Sequence, residues 1–117
     1  MKNLEFEYRY RDCGNFKNRN SIVFGNKRNL SAEETNSRIL QIVGNDQTFE
    51  ASRLRVPEMF FKEFPYDPEL DWPMHEYCGV SETDLPATDT ENRDIGDLLA
   101  LMEKEADSSK EEPNLDR

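Results

Sequence analysis

Residues 4–12 alternate with a period of two. Leu4, Phe6, Tyr8 and Tyr10 fall on one side of the chain, and Glu5, Glu7, Arg9 and Arg11 fall on the other. An extended backbone sends successive side chains to opposite faces, so this pattern specifies a strand with one apolar, aromatic face and one solvated face. Whatever the remaining residues build has to cover those four inner side chains, and that requirement selects an α+β layer architecture over an all-helical one.

The elements that supply the cover are legible further along. Residues 13–20, with one glycine and three asparagines, read as a turn or loop, and Ser21-Ile22-Val23-Phe24 reads as the hairpin partner of the first strand. Ser31 and Glu34 have the spacing of a capping box, with Leu30 placed to cover the first turn. Ile39, Leu40, Ile42 and Val43 give that helix a buried side, and Gly44-Asn45 ends it. Residues 48–51 form a third short strand, and 53–56 extend it or bend before Pro57. Residues 57–73 are aromatic and proline-punctuated, at most a helical turn at 58–63 followed by an ordered loop. Residues 76–83 make a fourth strand, weakened by Gly79. Ile95, Leu98, Leu99 and Met102 then recur at helical spacing, with Ala106 a turn later.

The order β-β-α-β-loop-β-α describes a small mixed or antiparallel sheet with the 31–43 helix packed on it, compatible with a β-grasp-like roll. The expected organisation is a single α+β domain over residues 1–83, an acidic linker over 84–93, an amphipathic helix over 94–106 and a disordered acidic tail over 107–117.

Charge is divided unevenly. Residues 1–56 hold ten basic and seven acidic residues, whereas 57–117 hold five and eighteen, and the 117-residue chain has a net charge of −10. Phosphate is repelled by such a surface as a whole, which disfavours nucleic acid as the general partner. A local basic face on the first hairpin, formed by Arg9, Arg11, Lys17 and Arg19, keeps a nucleic-acid-associated module open as an alternative. Tyr8 and Tyr10 lie on the opposite side of that strand, however, and cannot stack over the same charges. The longest apolar run is the five residues 98–102, far short of a membrane span. The start of the chain lacks the pattern of a secretory leader, and two cysteines are too few for a disulfide framework. A reduced, cytoplasmic setting is therefore expected.

Catalytic machinery is thinly represented. The densest gathering of chemically useful groups lies between Asp67 and Cys78: Asp67, Asp71, His75, Glu76 and Cys78 are ligand types that bind divalent metals. They match no closed-site spacing, having neither a CxxC pair nor an HExxH, and no GxSxG or glycine-rich phosphate loop occurs elsewhere. Neither a metal nor an organic cofactor is expected, and a small metal-dependent enzyme at Asp67–Cys78 stands as an alternative only. The expected function is instead that of a non-enzymatic interaction module, an adaptor, inhibitor or antitoxin-like factor that binds a basic protein partner. On this expectation Ile95, Leu98, Leu99 and Met102 lie in a partner's apolar groove, with Asp94 and Asp97 selecting its cations.

Tyr8-Arg9-Tyr10-Arg11-Asp12, followed by Gly14-Asn15 and Lys17, resembles the opening of small uncharacterised bacterial proteins of about this length. Val56-Pro57-Glu58-Met59-Phe60-Phe61 and His75-Glu76 resemble their middle portion, so the likeness covers about residues 6–85. It implies a bacterial, cytosolic, single-domain protein and brings no activity, cofactor or catalytic residue. Pro73-Met74 before His75 departs from the Trp-His-Glu run of those proteins.

Overall fold

The computed structural model describes residues 2–11, 17–60 and 74–111, with side chains through Ala106. The chain is a small α+β fold in which β1 (Asn3–Arg11), β2 (Lys17–Phe24), β3 (Thr48–Phe49) and β4 (His75–Thr83) form one sheet in the order β2-β1-β4-β3. Every strand pair is antiparallel, so the mixed-sheet alternative is set aside, and a β-grasp-like roll is not required to describe it. Helices α1 (Ala32–Val43) and α2 (Ile95–Glu111) complete the fold. No described helix is long and apolar enough to cross a membrane. The aromatic loop expected through Trp72 lies largely outside the described residues, as do Cys13, Asp67, Asp71 and residues 112–117.

The alternating strand occupies a central position, with β2 on one side and β4 on the other. Leu4, Phe6, Tyr8 and Tyr10 are all buried, and they join Ile22, Phe24, Phe49 and Tyr77 in a ring-rich core. Pairing with β4 slips by one residue between Glu7 and Tyr8: Glu7 faces Gly79 and Tyr8 faces Tyr77, leaving Cys78 over. This bulge gives Gly79 its purpose. Its φ of +150° is one that L side chains rarely adopt. The slip also moves the inward positions of β4 from His75 and Tyr77 to Val80, so the apolar residues on both sides of the bulge face the core.

β2 begins four residues earlier than Ser21, at Lys17. Its inward positions there are Asn18 and Asn20, whose amides donate to the Met59 carbonyl and to Tyr8 Oη. Helix α1 starts as its sequence directs: Ser31 Oγ accepts from the Glu34 N–H at 3.0 Å, and Gly44, at φ +78°, closes the other end. Residues 51–54 turn into a 3-10 helix (Ala51–Leu54) ending at Arg55 in the left-handed region, so the bend is favoured over a longer strand.

Two expectations about the second half require correction. Residues 84–93 are not a loose acidic linker. Thr88 N–H donates to the Val23 carbonyl and Thr88 Oγ1 accepts from the Val23 N–H, which straps the segment along β2. The Asn3 side chain donates to the Leu85 carbonyl. Asp89 and Arg93 are buried as a pair: Nε and Nη2 of Arg93 donate to the two Asp89 oxygens at 3.0 and 2.9 Å, while Nη1 and Nη2 also reach the carbonyls of Leu54 and Arg55. The guanidinium lies 5.5 Å from the centre of the Phe24 ring. Helix α2, in turn, does not stop at Ala106 but continues to Glu111. Once its first turns are packed, each added residue contributes a backbone hydrogen bond at little cost, and no Gly or Pro intervenes before Pro113.

Burial raises the Asp89 carboxyl, but the guanidinium and backbone bonds from Arg93 outweigh it and hold the group below its ordinary 3.8. A depressed carboxyl stabilises the fold above its unfolded value and loses that contribution as pH falls through the folded one. The Arg93–Asp89 stabilisation is therefore complete at neutral pH and withdrawn only in acid below 3.8. Arg93→Met, which strands Asp89 in the interior, is expected to lower unfolding free energy by about 3–5 kcal/mol in urea denaturation at pH 7. Adding Asp89→Asn to that variant should recover part of the loss.

Candidate functional site

The sequence pointed to three groups of residues, and the structure distributes them differently. On α2, Ile95, Leu98 and Leu99 have no exposed surface and Met102 is 2% exposed. They pack in the same core as Phe6 and Ile39, so in this structure the face expected to meet a partner is covered by the chain's own sheet and α1. Asp94 and Asp97 are occupied too. Asp94 Oδ2 accepts from the Gly96 N–H, its Oδ1 accepts from the Lys27 N–H at 2.7 Å, and Asp97 Oδ2 accepts from the Asp94 N–H. They cap the helix and fasten its start to residues 25–27, where Ile95 N–H also donates to the Gly25 carbonyl. The spacing Asp94-x-x-Asp97 was the available signal for this role.

Of the metal-ligand group, Asp67 and Asp71 lie outside the described residues, and His75 is kept apart from Glu76. His75 and Glu76 are neighbours on a strand and therefore point to opposite faces. His75 is fully buried, its ring centre 5.2 Å from that of Tyr10 and 5.4 Å from that of Phe60. Its Nε2 accepts from the Met59 N–H at 2.9 Å, so this nitrogen carries no proton and faces a backbone amide. Glu76 lies on the outer face, accepting from Arg9 Nε at 2.6 Å and from Arg11 Nε at 3.1 Å. Burial raises its carboxyl, and the two arginines more than reverse that shift. Cys78 is exposed in the bulge, and burial of its sulfur pushes the thiol up, away from the thiolate. Among the described residues no three His, Cys, Asp or Glu groups are placed to hold a metal.

The basic group does form one surface. Arg9 pairs across the sheet with Arg19, and Arg11 with Lys17, putting four cations at one end of the outer face. Glu76 engages only the two arginines of β1.

A further feature emerges that sequence reading did not assemble. An open cleft of about 330 Å³ runs between the last turn of α1, β3, the 3-10 turn and α2. Ile42, Val43, Phe49, Leu54 and Met102 contribute apolar lining, with Met74 where the chain enters β4. Glu50 and Glu105 stand at its rim with Arg53 between them, 3.4 Å from each carboxylate. The only advance sign was that α1's apolar stripe is wider than its buried part, Thr35 and Ile39.

Comparison with family models, with curated proteins and with solved structures finds no match for this chain.

The position of His75 generates a direct test of its role. His75→Ala empties a site enclosed by Tyr8, Tyr10, Phe49 and Phe60, and is expected to cost about 3 kcal/mol in equilibrium unfolding. A loss below about 1 kcal/mol would show that the ring is not a packing element.

Proposed function

We propose that the chain is a non-enzymatic interaction module that binds a basic protein partner, and that the cleft between α1, β3 and α2 is where it does so. The observation that carries this reading is the combination of an apolar floor with a carboxylate rim. A cleft of this kind suits an aliphatic side chain flanked by lysine or arginine: burial of the apolar group supplies affinity, and the carboxylates favour cationic neighbours. Arg53 does not block such a partner. Its contacts at 3.4 Å join half-exposed groups, a geometry that contributes little, so an incoming cation can take its place. The free thiol of Cys78 fits a reducing, cytoplasmic setting.

Peptides with an aliphatic centre flanked either by Lys/Arg or by Asp/Glu separate this reading from its rivals. The cationic peptide is expected to shift the amide resonances of Val43, Phe49 and Leu54, and the acidic one to leave them in place. Glu50→Lys combined with Glu105→Lys should weaken binding about tenfold or more, with the melting temperature nearly unchanged because both residues are at the surface. Equal response to both peptides, or binding that survives the charge reversal, would contradict the assignment.

A further inference from the structure

The outer edge of β2 is divided into a closed half and an open half. Val23 turns both its N–H and its C=O away from β1, and Thr88 takes both. Two residues on, the Gly25 carbonyl is taken by Ile95. In an antiparallel ladder the outward-facing residues recur every second position, so Ser21, Arg19 and Lys17 aim their N–H and C=O groups the same way as Val23. The strap formed by 84–93 does not extend to them. Among the described residues nothing bonds to that half of the edge.

The faces beside this open half are as asymmetric as the edge. On the inner side Asn18 and Asn20 are tied to the Met59 carbonyl and to Tyr8. On the outer side stand Lys17 and Arg19, which form no ion pair among the described residues, while Arg9 and Arg11 behind them both bond to Glu76. Like charges placed directly across a ladder destabilise it, and both Arg9–Arg19 and Arg11–Lys17 are such pairs. A shallow depression of about 300 Å³, bounded by Glu7, Arg19, Ser21 and Cys78, lies next to the same edge.

We infer that the Lys17–Ser21 half of β2 is a strand-addition site for an extended acidic segment of a partner protein. The segment's backbone pairs with the outward N–H and C=O groups of Lys17, Arg19 and Ser21. Its alternate side chains, carrying carboxylates, meet Lys17 and Arg19. Charge decides the occupant. A second copy pairing through the same edge about Arg19 sets that arginine against its own counterpart, so the cations that attract an acidic strand repel a like one. This site is separate from the cleft and stands whether or not the cleft binds a basic partner.

The test uses the full chain, isotope-labelled, and a capped peptide of sequence Thr-Glu-Val-Glu-Val-Glu-Thr. Resonance shifts and slowed amide exchange are expected at Lys17, Arg19 and Ser21. Binding should be lost with the Lys-for-Glu peptide, and also with an acidic peptide N-methylated at alternate residues, which keeps its charge but cannot pair as a strand. The combination Lys17→Glu with Arg19→Glu should weaken the parent peptide by about tenfold or more. If that variant unfolds, the N-methylated peptide on the wild-type chain still decides the question. The inference is overturned if the N-methylated and parent peptides bind equally, if the shifts centre elsewhere, or if no shift occurs. It is equally overturned if the edge instead responds to protein concentration alone, as self-pairing would require.

Discussion

A guanidinium removed from water must find acceptors for its donors, and the way Arg93 finds them joins parts of the chain that are far apart in sequence. It holds Asp89 through two hydrogen bonds, takes the carbonyls at the end of the 3-10 turn, and lies against Phe24 on β2. Through these contacts the segment before α2 is fixed to one edge of the sheet, and α2 enters the core at a set position. Asp94 extends the same arrangement by binding the Lys27 and Gly96 amides. A buried ion pair is weak evidence of net stability, since desolvation offsets the attraction. What it does supply is geometry. Leucines at 98 and 99 can pack anywhere that is apolar, whereas Arg93 has one place where its acceptors converge.

That fixed entry determines which surfaces are left for a partner. With Ile95, Leu98 and Leu99 inside, α2 belongs to the same core as Leu4, Phe6 and Tyr8 of β1. It also supplies part of the wall of the cleft, through Met102, Glu105 and Ala106. The strap likewise closes one half of β2 and leaves the other. Among the described residues, both candidate binding surfaces lie where the cover supplied by 84–93 and α2 ends, and their charges are opposite: carboxylates at the cleft rim, cations along the open edge.

Much of this fold could be read from residues alone. The β1 alternation and the capped helix α1 rest on local rules, and local rules were sufficient for them. The failures share a cause. The first half of β2 reads as loop because its inward positions are asparagines, which Tyr8 Oη and the Met59 carbonyl make acceptable there. Residues 84–93 read as an acidic linker because Asp89 looks like one more acid until Arg93 bonds to it. Asp94 and Asp97 read as a partner-selecting frame although their spacing also suits a helix cap. In each instance a polar side chain is satisfied by a particular partner, side chain or backbone, that the fold brings to it. A period of two or of 3.6 does not register that. The cleft and the open edge were invisible for the related reason that they are defined by what other elements fail to cover.

If α2 completes the core in cis through the Arg93–Asp89 anchor, amide hydrogen exchange on the isolated chain will register it. The amides of Leu99, Leu101 and Met102 are then expected to exchange as slowly as those of Phe6 and Tyr8 in β1, opening only when the whole domain unfolds. Rapid exchange across those α2 positions with β1 still protected would contradict it. The helix would then be a loosely held element, free to serve a partner with the apolar face that this fold assigns to the core.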